Sequence, residues 1–232
     1  FSVEQLYEYE AEERAEIYLG LEKQEVKKLG IYTVDTPFLV VGPVRSGKSN
    51  VAEVMLKQMG SFEKIYLFDS KTYELQSRSE AENVEFFDVQ EKLHLSLEEL
   101  KYIIEERKED CRVSRGKESI SQFYYSLEKY CIFINGLSDF AEFTQDDSQV
   151  MTIIAEAVEV GILVVMIGHA AHMPARNETA KVVKLAENGL ILGEPGINTP
   201  FPTFRGKELP ERVDEGLLYK RGNSIMIRIP KA

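Results

Sequence analysis

The chain has 232 residues, 44% hydrophobic and 29% charged, the proportions of a globular protein, which exclude a disordered, collagenous or coiled-coil chain. Its 28 Lys and Arg against 39 Asp and Glu leave a formal charge of −11, so a surface built to neutralise a nucleic-acid backbone is disfavoured. The two cysteines, Cys111 and Cys131, lack metal-ligand spacing and read as buried small side chains in a reducing compartment.

The first 28 residues carry Glu4, Glu8, Glu10, Glu12 and Glu13 among few apolar side chains. This predicts a short amphipathic helix with a solvated acidic face, leading into a strand near Ala15–Leu19. Residues 1–30 are therefore expected to form an acidic helix and strand, and residues 37–232 an alternating core, together one domain. Phe38-Leu39-Val40-Val41 is a continuous apolar run, as in a strand buried on both faces. A Gly-rich loop follows, then a helix from about Lys48 to Met59, closed by Gly60. Apolar runs at Ile65–Phe68, Val84–Phe87, Cys131–Ile134, Ile162–Ile167 and Gly189–Leu192 predict further strands. Helical patterns at Ser96–Arg112, with Ser96 as N-cap, and at Ile120–Lys129, Ser148–Val160 and Glu178–Ala186 lie between them. Such alternation predicts an α/β fold, a mostly parallel sheet with helices on both faces. Residues 194–210, rich in Pro and Gly, read as a loop, and Leu217–Lys220 with Ile225–Ile229 as a C-terminal β-hairpin around Arg221-Gly222-Asn223. The longest apolar stretch is far short of the ~18 residues of a membrane span, and Phe1 opens no leader pattern. A soluble piece of a larger protein is expected.

Gly42-Pro43-Val44-Arg45-Ser46-Gly47-Lys48-Ser49 matches G-x-x-x-x-G-K-[ST] between a buried-type strand and a helix. Glycines let the backbone wrap a phosphate, successive N–H groups form an anion nest, and the helix adds its positive end. Lys48 would reach the β- and γ-phosphates, and the Ser49 hydroxyl would coordinate Mg²⁺. ATP with Mg²⁺ is the ligand this loop predicts. A P-loop ATPase also needs a second strand ending in a metal-holding acid, often followed by a general-base Glu. The candidate strand, Tyr130-Cys131-Ile132-Phe133-Ile134, ends instead in Asn135-Gly136. Asn carries no charge and Gly cannot orient a water, and losing a positioned base costs ~10²–10⁴ in rate. Nucleotide binding is expected to survive, and turnover is not.

The ordered set of Gly42 to Asn50, Leu67-Phe68-Asp69, and Asn135-Gly136-Leu137-Ser138-Asp139-Phe140 resembles the FtsK/SpoIIIE-type ATPase domains. The third of these segments is similar to the family's D-E-L-A-D-L stretch with its first two acids replaced. Ala157-Val158-Glu159-Val160-Gly161-Ile162 and Gly189-Leu190-Ile191-Leu192-Gly193 extend the resemblance, which covers nearly the whole chain from about Ile17. Within that family it is most similar to the C-terminal, third ATPase domain of the EssC/EccC proteins of type VII secretion. The resemblance implies a RecA-like P-loop fold, and a cytoplasmic domain of a membrane-anchored, hexamer-forming bacterial motor. It also implies nucleotide contact along Gly42, Pro43, Val44, Arg45, Ser46, Gly47, Lys48, Ser49 and Asn50, with other ATPase domains of the same protein as neighbours. Helical-hairpin WXG100-type substrates are the implied partners, and nucleic acid is not expected, there being no obvious basic surface and no winged-helix tail.

The reading this supports is a degenerate ATPase domain serving recognition and regulation. Its rival is an active translocase using Asp139 or Glu142 in place of the missing acids. His169 is a candidate sensor of the γ-phosphate, against a strand-end His satisfied by backbone, and His172 reads as a loop residue. Arg107 reads as a solvated helix residue, with an intersubunit arginine finger as the alternative. Phe201 and Phe204 are candidates for an exposed docking surface, or rings folded back on the core.

Overall fold

A computed structural model describes residues 1–11, 14–114, 123–124, 126–194, 196, 199–201, 209–220 and 222–232. The strands among these are β1 (Ile17–Glu22), β2 (Lys28–Ile31), β3 (Phe38–Gly42), β4 (Lys64–Phe68), β5 (Val84–Phe86), β6 (Tyr130–Asn135), β7 (Leu163–His169), β8 (Asn188–Ile191), β9 (Glu215–Lys220) and β10 (Asn223–Arg228). They form one sheet in the order β2-β1-β10-β9-β8-β3-β7-β6-β4-β5. The helices are α1 (Val3–Leu6), α2 (Lys48–Lys57), α3 (Gln90–Ser114), α4 (Leu137–Phe143), α5 (Ser148–Glu159) and α6 (Glu178–Val183).

The strands from β8 to β5 in that order pair in parallel, while β9, β10, β1 and β2 extend the sheet as an antiparallel wing. The C-terminal hairpin is present as expected: Asn223 pairs with Lys220 across a two-residue connection, and β10 then pairs with β1. Every residue of β3 is buried, because both faces of the sheet are covered. Phe38 and Val40 pack with Val51, Ala52 and Met55 of α2 on one face. Leu39 and Val41 pack on the other, in a cluster that includes Leu100 and Ile104 of α3 and Ile154 and Ala157 of α5. Burial of this kind is worth ~25 cal/mol per Å² of apolar surface and fixes the parallel strands as a rigid floor. Their carboxyl ends therefore stand at one edge in defined register.

Several boundaries differ from expectation for local reasons. Helix α3 starts at Gln90, so Ser96 lies buried inside it and caps nothing. Helix α2 ends at Lys57 with Gln58 in a right-handed cap conformation, not at a left-handed Gly60. The Gln58 amide instead bonds the backbone N–H and C=O of Tyr18 on β1, at 2.9 and 2.8 Å. Strand β2 and helix α4 were not anticipated. Of the helix expected over Ile120–Lys129, residues 120–122 and 125 lie outside the described residues; 123, 124 and 126 are helical, and 127–129 are not. Cys131 is buried and Cys111 half-buried, and both are free thiols. Among the described residues no helix is long and apolar enough to cross a membrane.

Candidate nucleotide site

Register alone brings the chemistry together. Gly42 at the end of β3 pairs with His169 at the end of β7, Asn135 at the end of β6 pairs with Ile167, and β4 delivers Asp69 beside Asn135. Ligands of open α/β sheets sit in this position, beyond the carboxyl ends of strands at a reversal of strand order. Residues 44–49, Glu74, Asn135, Gly136 and His169 line a cavity of about 440 Å³ there, within the size range of small-ligand sites.

The loop between β3 and α2 has the backbone a phosphate nest requires. Arg45 and Gly47 adopt left-handed conformations, with φ of 60° and 94°, and Gly47 caps α2. A Cβ at Gly42 would collide with Ser46 Oγ and lie 2.6 Å from the Leu192 carbonyl, so only glycine fits where the loop leaves the strand. Lys48 Nζ donates to the carbonyls of Gly42 and Pro43 at 3.1 and 2.5 Å. Burial lowers its pKa, against the opposing pull of Glu74. A cation held by two carbonyls in a half-buried cavity is a favourable position for an anion.

Two buried polar atoms in this cavity lack partners, Ser46 Oγ and His169 Nε2. His169 Nδ1 accepts the Ala171 N–H at 3.1 Å, which leaves the ring proton of neutral His169 on Nε2 as a donor. Burial, then Lys48 and His172, hold its pKa below the ordinary histidine value. The backbone bond accords with the strand-end alternative for His169, and its other nitrogen is buried without a partner in a residue that lines the cavity. His172 packs beside it, with ring centroids 5.0 Å apart. Orphaned buried donors of this kind fit a phosphate ligand.

The oxygen donors suit a hard cation accompanying that ligand. Ser49 Oγ donates to the Glu74 carboxylate, so a hydroxyl and an acid stand side by side at the start of α2. A bound Mg²⁺ would be held by Ser49 and the nucleotide phosphates, and would supply charge neutralisation there. Among the described residues no group of three His, Cys, Asp or Glu side chains could hold a metal unaided.

The position that should carry the metal acid is occupied otherwise. Asn135 Nδ2 donates to Asp69 Oδ1 at 2.7 Å. Asp69 is buried, and its carboxylate also accepts the N–H of Ser70 at 2.9 Å and of Leu75 at 2.7 Å. Burial raises its pKa, and the bonds from Leu75, Asn135 and Ser70 oppose the rise. Gly136 has φ +106°, and a Cβ there would lie 2.8 Å from Ser70 Cβ. An acid at that position would meet both backbone strain and a clash.

Three sequence expectations need correction, and for Phe201 the core alternative holds. Asn50 does not face the cavity: its amide donates to the Pro230 carbonyl at 2.8 Å and accepts the Ala232 N–H at 3.0 Å. Arg107 is neither solvated nor available as a finger. It is 6% exposed, donates to the carbonyls of Val160 and Glu128, and lies 5.3 Å from the Tyr130 ring. Phe201 is core, packed 4.9 Å from the Tyr219 ring, and Phe204 lies outside the described residues. Asp139 and Glu142 border a separate cavity of about 320 Å³. There Asp139 accepts the Lys71 N–H at 3.0 Å, and Glu142 pairs with Lys71 Nζ at 2.6 Å. Glu74 was missed, since it lies 25 residues from Ser49 and belongs to no motif.

A phosphate loop between β3 and α2, with β7 inserted between β3 and the strand ending in Asn135, defines a RecA-like P-loop ATPase fold. No protein-family model and no curated protein sequence matches the chain. Solved structures do. EssC (ATPases 2 and 3) from Geobacillus thermodenitrificans superposes with a TM-score of 0.79 at 19% identity, over 99% of this chain and 44% of that one. The cytoplasmic domain of EssC gives 0.82 at 17% identity, over 99% and 47%. Thermomonospora curvata EccC (ATPases 2 and 3), in complex with a signal sequence peptide, gives 0.65 at 13% identity, over 93% and 40%. The chain thus has the fold of these ATPase domains and spans less than half the length of each structure.

Proposed function

We propose that the chain is a single, degenerate ATPase domain of a type VII secretion motor, which holds ATP or ADP with Mg²⁺ and turns it over slowly. The supporting observation is the contrast within one cavity. On the binding side, Lys48, Ser49 and the left-handed loop are joined by the unpartnered Ser46 Oγ and His169 Nε2. The hydrolytic element is replaced, because Asn135 bonds Asp69 and Gly136 carries no side chain. The rival reading as an active translocase loses support, since Asp139 and Glu142 pair with Lys71 outside the cavity.

Fold similarity to EssC and EccC supports placement among their ATPase domains, with other ATPase domains as neighbours; the third position, a membrane anchor and a hexameric assembly belong to the proposal alone. The EccC structure with a signal sequence peptide supports a substrate segment as partner, for which the proposal names WXG100-type substrates. Calorimetric titration of ATP and ADP tests the core of this reading. The expected result is saturable binding in the wild type, lost in Lys48→Ala, with phosphate release near background in both. Absence of binding to folded wild type refutes nucleotide recognition, and a rapid Lys48-dependent rate refutes degeneracy.

A further inference from the structure

The segment after β4 is shaped by the residue that replaces the expected acid. Asn135 donates to Asp69, and the other oxygen of Asp69 holds the Leu75 N–H. Leu75 is fully buried in the α2 face of the core, so the chain is pinned at that point. The residue immediately before it, Glu74, is thereby presented to the cavity, where it accepts the Ser49 hydroxyl and acts on Lys48. A carboxylate that accepts from the loop serine is placed to orient that hydroxyl toward a cation and to share the cation's charge.

We propose that Glu74 is the carboxylate of the metal–nucleotide site, supplied from the segment after β4 because the end of β6 carries Asn135 instead. The inference rests on the nucleotide-binding reading. Asn135 is then a positioning residue: through Asp69 and Leu75 it sets where Glu74 stands. Three independent features point to an occupied cavity at this place, the unpartnered Ser46 Oγ, the unpartnered His169 Nε2 and the desolvated Lys48 ammonium. Glu74 itself is exposed at the cavity mouth and supports no core packing, so its replacement by Gln leaves the fold intact.

The experiment titrates the full chain with ATP in Mg²⁺ and in EDTA, by calorimetry, and follows protein-bound Mn²⁺ by electron paramagnetic resonance. Wild type is expected to bind ATP more tightly with Mg²⁺ than without. Glu74→Gln is expected to lose about ten- to hundredfold of that cation-dependent gain, the usual effect of removing an orienting partner, with ATP affinity in EDTA retained. Glu142→Gln, which removes an acid from the neighbouring cavity, is expected to behave as wild type. An unchanged Mg²⁺ dependence in Glu74→Gln overturns the proposal and leaves nucleotide binding standing. So does equal tightening in Mg²⁺ and EDTA, which would make Glu74 a repulsive gate. Failure of wild type to bind ATP in either condition overturns both readings together.

Discussion

Restoring the missing acid by Asn135→Asp should damage the protein rather than repair it. Asn135 and Asp69 are 5% and 6% exposed, with the amide nitrogen 2.7 Å from a carboxylate oxygen. Two carboxylates at that separation cannot both ionise in a buried site, so the pair retains one proton that the unfolded chain releases. Near pH 4 the variant should approach wild type, because the introduced carboxyl, when protonated, can donate to Asp69 as the amide does. Above that, the native state binds one more proton than the unfolded state, and stability falls by about 1.4 kcal/mol per pH unit. Between pH 5 and 7.5 the shared proton therefore costs the variant about 3 kcal/mol, and the deficit against wild type is this less what wild-type Asp69 loses over the same range. Wild-type Asp69 contributes in the same sense, because its pKa is raised by burial and its stabilisation is also lost as pH rises through it. Only the difference between the two proteins is therefore informative. Urea denaturation across pH 5–8 reads it, and parallel stability curves for the two proteins would refute the buried-pair argument. Such a result would also mean that position 135 can accept a metal acid without cost.

The site and its support carry two other expectations. The His169 ring should titrate below the ordinary histidine value in the free protein and move upward when ATP or ADP binds, since phosphate favours the imidazolium. NMR of the ring protons reads this, and a pKa unmoved by nucleotide would remove His169 from the phosphate site. Arg107→Ala should cost about 2–4 kcal/mol in chemical denaturation, because one buried and one part-buried carbonyl lose their donor, while nucleotide affinity stays unchanged; a selective loss of affinity would restore a catalytic reading for this residue.

Legibility followed the strength of the local signal. Phe38–Val41 and Ile162–Ile167 are continuous apolar runs, and the loop between the first of them and α2 obeys a fixed spacing, so the sheet centre and phosphate nest could be read directly. Strand β2 could not be read, because Lys28-Leu29-Gly30-Ile31 is short, opens on a lysine and is interrupted by glycine, and it is ordered by pairing with β1. Helix α4 is a seven-residue mixture whose Leu137 and Phe140 are buried only once β6 and β7 are in place. Arg107 carried an unused signal: it lies seven residues after Leu100, four after Ile103 and three after Ile104, on the apolar stripe of its helix. Its acidic neighbours suggested solvent, yet periodicity placed it inside. The Asn135–Asp69 bond joins residues 66 apart, and the Ser49–Glu74 bond joins residues of a motif and an anonymous loop. Neither pairing leaves a pattern in one sequence.

The proposed split between binding and turnover would have a structural cause beyond two altered side chains. Phosphate recognition would draw on residues 42–49, whose left-handed loop and cap are set by β3, α2 and the carbonyl of Leu192. Hydrolysis would draw on the end of β6, where Gly136 sits at φ +106° with Ser70 against the space a side chain would need. That Ser70 is itself fixed, because its N–H is bonded to Asp69, the acceptor of Asn135. The two replacements are therefore coupled through one buried carboxylate, and reversing either alone disturbs the other. A backbone committed in this way can keep a nucleotide without cycling it. Bound ligand then acts through occupancy, stabilising the native state by about 2.7 kcal/mol at a concentration about one hundred times its Kd. Because the cavity gathers the ends of β3, β6 and β7 with the segment after β4, that stabilisation falls on the contacts between these elements. Nucleotide in this fold is accordingly expected to work as a clamp on the sheet edge, with the Asn135–Asp69–Leu75 connection setting how closely the edge can close.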